Sequence, residues 1–240
     1  MKIFDLDSPL MRALTIISDL LWLNVLTIVC CLPIVTIGAS VTALHYLSLK
    51  IVRGEENHLT ATFFRVFKEN FKQSTLIWLI ILFITMVLAV DMYIIHMGIL
   101  QLPKWIEFII LVITVLMLFM SSFVFPVQAK FANPVSRTIK NAMAISMMQF
   151  PKTIVMILMK VIVVVMLLSI RLMPVALFFG LAAPAYASAL MYNKFFKKLE
   201  DQIMEANGQS DHRDTAEGEE DERIFHDELD ESLSIGNVDQ

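Results

Sequence analysis

Apolar residues in this chain gather into long runs, and between the runs they return only every three or four positions. The cleanest run is Thr75 to Ile95, where Asp91 is the only charge; Phe108 to Val127 carries none. A helix needs about 20 such residues to cross hydrocarbon, whereas a buried helix of a soluble domain is shorter and striped. The runs predict helical segments over Pro9–Leu32, Ala39–Val52, Ser74–Met97, Ile106–Val127, Thr153–Ser169 and Leu172–Tyr192. Ser8-Pro9 reads as an N-cap and first helical residue. Pro184 predicts a kink or local unwinding in the last segment.

The striped stretches read differently. In Arg53–Gln73, Leu59, Phe63, Val66, Phe67 and Phe71 share one helical side, while Arg65, Lys68, Glu69 and Lys72 face elsewhere. In Gln128–Lys152, Val135, Ile139, Ala142, Met143 and Met147 do the same opposite Arg137, Lys140 and Asn141. Both fit amphipathic helices lying in a membrane interface. Leu32-Pro33, Leu102-Pro103 and Met173-Pro174 mark three turns, and the two connectors end alike at Phe71 and Phe150, which favours a repeated hairpin. The expected fold is all-α: a polytopic membrane helical bundle of three helical hairpins, five or six spans, joined by two cytoplasmic amphipathic helices. Ala39–Val52 leaves the count open, because it is short and holds Thr42, His45 and Ser48. If it crosses, there are six spans; if it is re-entrant or interfacial, five.

Composition adds weight to the membrane reading. The 240 residues are 57% hydrophobic, against about 45–50% for a soluble domain. The net charge of −4 conceals a division. Residues 1–199, the expected membrane domain, hold 17 Lys/Arg and 8 Asp/Glu; residues 200–240 hold 2 and 15. The second part reads as an acidic, disordered tail, with a partner-docking helix around Glu220–Leu233 as the alternative. Its sign disfavours nucleic acid. Lys and Arg concentrate in the two connectors and in Lys194–Lys198, which puts connectors and tail on the cytoplasmic side.

Ionisable groups inside a span cost about 2.5–3.5 kcal/mol at mid-helix, so each is a functional candidate. The candidate intramembrane polar residues are Asp19, Asn24, Asp91 and Lys160. With six spans, Asp19 and Lys160 share a depth and can neutralise each other; with five, Asp19 lies nearer Asp91 and Arg171. Asn24, Thr36 and Ser40 are suited to bonds between helices. Cys30 and Cys31 are adjacent, point apart, and read as packing residues. No metal spacing, cofactor box, Walker motif, HExxH or GxSxG is present; no cofactor, no metal and no enzymatic reaction are expected.

One stretch carries a resemblance. IFDLDSPLMRALTIISDLLWLNVLTIVCCLPIVTIGAS, TALHYLSLKIVRGEE and TFFRVFKENFKQSTLIWLI closely resemble the YesL family of small integral membrane proteins of Gram-positive bacteria. The resemblance runs from about Phe4 to Asp91 and rests on Asn24, Leu32-Pro33, Thr36, Gly38, Ala43-Leu44 and FFRVFKENFKQ. It implies a multi-pass protein of the bacterial cytoplasmic membrane, without established activity or agreed site residues. It also implies encoding beside ABC-type sugar permeases, sensors and glycan-degrading enzymes, hence a part in carbohydrate uptake. The expected partners are the lipid bilayer and an ABC sugar permease or membrane sensor kinase. An accessory or regulatory component is the leading expectation, a transporter or channel subunit with a polar path the alternative, and a membrane enzyme the weakest.

Overall fold

Nothing between Leu59 and His96 stops a helix: the stretch has neither glycine nor proline. In the computed structural model, which describes residues 9–55, 58–98, 103–131 and 133–206, it forms one helix of 38 residues, about 57 Å long. The first expected connector is therefore the opening half of the same helix that carries the apolar run. A change from polar to apolar composition does not end a helix. Its stripe is turned into the bundle. Phe63 and Val66 are buried against Leu20, Leu23, Leu44, Leu47 and Ile51, with Leu59 and Phe67 packed alongside.

The described residues form eight α-helices and a short 3-10 turn, with no strand among them. They are α1 Pro9–Cys31, α2 Ile37–Arg53, α3 Leu59–His96, α4 Lys104–Lys130, α5 Val135–Met148, α6 Phe150–Leu168, α7 Met173–Phe179 and α8 Ala182–Ala206. Five helical stretches are long and apolar enough to cross a membrane, and six if α7 and α8 count as one broken span. The expected multi-pass helical bundle is what the chain forms. Each expected turn proline sits before or at the start of a helix: Pro33 before the 3-10 turn, Pro103 at the N-cap of α4, and Pro174 in the first turn of α7. A fixed φ and a missing N–H cost nothing there.

α2, the short stretch whose crossing was open, is the most enclosed helix. Two-thirds of its apolar window is buried, against about a fifth for α1. It packs on α1, α3, α4 and α8. Gly38 makes one of these approaches possible, since a Cβ there would collide with the carbonyl of Ser74 and with Trp78. The helix ends at Gly54, whose φ of 73° is the left-handed conformation that a C-cap glycine adopts freely.

The hairpins are not level. The turn after α1 is held against the middle of α3: Trp78 Nε1 donates to the Ile34 carbonyl at 2.9 Å and Thr75 Oγ1 to that of Val35 at 3.3 Å. From Trp78, α3 runs on for about 27 Å to His96. Burial follows the same line, ending at Ile81 in α3, starting at Phe119 in α4 and ending at Met156 in α6. The molecule thus has a dense half and a thin half made of the upper lengths of α3, α4 and α6, while α7, in which Ala176 alone is buried, flanks α1 and α6.

The second connector is a separate helix, as expected, but shorter: α4 continues to Lys130 and α6 begins at Phe150. α5 buries Thr138, Ala142, Ile145 and Ser146, a helical stripe turned inward to α4. Thr153 Oγ1 donates to the Ser146 carbonyl at 2.8 Å and ties α6 to it. At the other end, α8 runs past residue 199 to Ala206 and carries Glu200 into the bundle, where it is 7% exposed. The rest of the acidic tail, including Glu220–Leu233, lies outside the described residues.

Candidate functional site

A polar column runs down α2. Ser40, Thr42, His45 and Ser48 are all buried; Thr42, His45 and Ser48 follow one side of a 3.6-residue helix, with Ser40 on the other. Buried hydroxyls and rings in such a setting need partners, and most have them. Thr42 Oγ1 and Ser74 Oγ lie 2.9 Å apart, and Thr42 also donates to the Gly38 carbonyl. His45 Nδ1 faces the Tyr192 hydroxyl at 3.4 Å. Tyr192 in turn sits between Phe123 and Phe196, with ring centroids 6.4 and 4.7 Å away. Ser48 Oγ has no hydrogen-bond partner.

Lys160 comes to the same level from outside. The residue as a whole is exposed on α6, yet its Nζ reaches to 3.4 Å from Ser122 Oγ, which is fully buried beside Phe123. An aliphatic stem along apolar surface with the amine at a polar atom is how a long cation is accommodated in such a setting. His45, Tyr192, Ser122 and Lys160 are therefore gathered near the centre of the bundle. Of these only Lys160 belongs to the sequence-derived candidates. His45 stood out only as a polar residue in a short apolar stretch, and Tyr192, 147 positions away, left no signal.

Asn24 has a different task. The chain between α7 and α8 bends by 52°, which leaves backbone groups without helical partners. Asn24, fully buried on α1, supplies them: Nδ2 donates to the Leu177 carbonyl at 2.6 Å, and Oδ1 accepts from the amides of Leu181 and Ala182, both at 3.0 Å. One side-chain amide thus bridges both lips of the break. The break itself falls at Gly180–Leu181, short of the position expected from Pro184. Pro184 instead lies in the first turn of α8, where its missing N–H is harmless.

At the end of the bundle where the Lys and Arg residues collect, three helices are joined by charge. Arg53, closing α2, donates to both carboxylate oxygens of Glu200 at 3.2 and 2.8 Å and to Asn193 Oδ1 at 2.9 Å. Lys130, closing α4, lies 3.6 Å from the same carboxylate. Nearby in the chain, Thr138 donates to Gln128 Oε1 at 3.1 Å, and Gln73 Nε2 donates to the Asn133 carbonyl. Gln128 Nε2 and both polar side-chain atoms of Asn133 are buried without hydrogen-bond partners.

The four sequence-derived candidates do not converge. Asp19 is half-buried on α1, which packs on α2, α3, α7 and α8; Lys160 is on α6, and among the described residues no ion pair joins them. Asp91 lies half-buried in the thin half, near the end of α3. Asn24 sits at the α7–α8 break. Thr36 bonds out of its own turn, to the Cys30 carbonyl at 2.6 Å, and Ser40 donates to the Thr36 carbonyl at 3.0 Å.

Residues 19–92 match the family described as Protein of unknown function, DUF624. That stretch holds α1 from Asp19, all of α2, and α3 as far as Met92. No curated protein and no solved structure matches the chain.

Proposed function

We propose that this protein is a YesL-type protein of the bacterial cytoplasmic membrane that acts by binding a membrane partner, as an accessory or regulatory component of ABC-type carbohydrate uptake. One observation carries the choice of binding over transport. The polar groups of the bundle are largely satisfied by one another, and Asp19, Asn24, Asp91 and Lys160 occupy separate places and do not line one path. A polar group that bridges a helix break or locks helix ends holds a shape; it does not pass a substrate. The resemblance over Phe4–Asp91 supports the carbohydrate setting and the partner class, an ABC sugar permease or a sensor kinase. Under this reading both the α5 side of the bundle and the tail face the cytoplasm, in line with the distribution of Lys and Arg.

A second reading, a transporter subunit, draws on the bent α7–α8 pair and the grouping of His45, Tyr192, Ser122 and Lys160. Broken helices near buried polar groups are a device of secondary transporters. Two measurements separate the readings. Affinity capture of the full chain from native membranes should bring down an ABC permease or a sensor kinase in near-stoichiometric amount. Purified protein in proteoliposomes should not move labelled oligosaccharide. Uptake by the purified protein alone, abolished by Lys160→Met, would replace the first reading by the second.

A further inference from the structure

A cleft of about 630 Å³ opens between α5, the start of α6 and the end of α8. Lys152, Lys194 and Lys198 stand on its walls, Met148, Phe195 and Leu199 form its apolar part, and among the described residues no carboxylate lines it. Glu200 of α8 is engaged by Arg53 and Lys130. Three cations are thus presented around exposed apolar surface, Met148 being 60% exposed. A pocket of this size lies within the range of about 300–1,000 Å³ that takes small ligands or a few anchoring side chains.

The sequence supplies a matching occupant. After Ala206 the chain continues through residues 207–223 to Ile224-Phe225-His226-Asp227-Glu228-Leu229-Asp230-Glu231-Ser232-Leu233-Ser234-Ile235. This is the one part of the tail where aliphatic and aromatic residues return, and four carboxylates are interleaved with them. We propose that the cleft between α5, α6 and α8 is the docking site of this chain's own acidic segment 224–235, its apolar side chains on Met148, Phe195 and Leu199 and its carboxylates on Lys152, Lys194 and Lys198.

Reach agrees with the assignment. A flexible linker of the length of residues 207–223 has a root-mean-square span of about 20–25 Å. From Lys194 to Ala206 the axis of α8 rises about 18 Å. A tether matched to the distance it must cover gives an effective concentration in the millimolar range. Attraction between exposed charges is screened beyond about 10 Å at 0.1 M salt, so the contact responds to ionic strength. The docking is the same whether the membrane partner is a sugar permease or another protein.

The test uses the full chain in nanodiscs of neutral lipid, with Cys30→Ser and Cys31→Ser as background. Ser232→Cys in the segment is paired with Asn141→Cys in the cleft, or with Arg65→Cys on the exposed side of α3 as a control. Oxidative cross-linking to position 141 should exceed that to position 65 by about tenfold, as tethered docking allows. It should fall to the control level in 1 M salt and in the Lys152→Glu, Lys194→Glu, Lys198→Glu variant. Adding Asp227→Lys, Glu228→Lys, Asp230→Lys and Glu231→Lys to that variant should restore it, which also shows that the reversed cleft still folds. Equal cross-linking at positions 141 and 65, or no response to the charge reversal, overturns the proposal. Loss of the cross-link in phosphatidylglycerol nanodiscs, with lysine-dependent retention of that lipid, gives the cleft to lipid and overturns it too.

Discussion

The dense and thin halves of this bundle are built from the same helices and obey different rules. In the dense half α3, α4 and α6 meet α1, α2, α5 and α8, and several polar side chains there are paired across helices: Thr42 with Ser74, His45 with Tyr192, Arg53 with Glu200. In the thin half the same three helices present Phe83, Met86, Phe108 and Leu168 outward, at 65–82% exposure. No residue of α3 beyond Ile81 is buried. Apolar area facing lipid gains little from packing, because hydrocarbon tails are as apolar as leucine. The difference teaches that specificity of fold in this chain resides in the dense half, and that the thin half needs only to be long, helical and greasy.

Substitutions should separate the two halves by size of effect. The largest loss is expected for Arg53→Met, which strips Glu200 of its bidentate partner and leaves a buried carboxylate with Lys130 alone. Breaking such a pair costs about 3–5 kcal/mol, read as a lower midpoint of unfolding in mixed detergent. The double variant Arg53→Met, Glu200→Met should recover most of it. Asn24→Leu comes next, leaving one carbonyl and two amides unpaired at the α7–α8 break; about 3 kcal/mol is expected, at the low end of about 1–3 kcal/mol per buried orphan because a helix break can relax. Limited proteolysis near Gly180 should rise with it. Gly38→Val should cost about 1–3 kcal/mol by overpacking against Ser74 and Trp78, and gel-filtration behaviour should broaden as α2 leaves α3. Met86→Ala in the thin half should stay within about 0.5 kcal/mol. If Met86→Ala costs as much as Gly38→Val, the thin half has a protein neighbour, and the comparison needs redrawing.

Much of the dense half's architecture was legible because it follows from local chemistry. Run length marked the apolar helices, proline marked the helix starts after each turn, and Asn24 and Thr36 were singled out as bonding between segments. What stayed hidden has two causes. The continuity of α3 was readable in principle, since Leu59–His96 lacks any breaker, but the shift from stripe to run at Ser74 looks like a boundary when composition is weighed above propensity. The long-range pairs were not readable at all. His45–Tyr192 and Arg53–Glu200 join positions 147 apart, and in a single sequence nothing distinguishes Glu200 from the acids of the tail that follow it. Asp19 and Lys160 illustrate the converse: equal expected depth says nothing of which helices are neighbours.

The residues that carry the resemblance also acquire individual reasons. Asn24 bridges a break, Thr36 closes the turn after α1, Gly38 admits α3, and Ala43 and Leu44 are buried against α1 and α8. Each is a demand of packing, met in the dense half.

α3 has one more property that follows from its unbroken length. It is a lever footed among α1 and α2, with no hinge residue anywhere along it, so a tilt of about 5° at the Leu59 end sweeps the His96 end through about 5 Å. Displacement at one tip arrives at the other without being absorbed on the way.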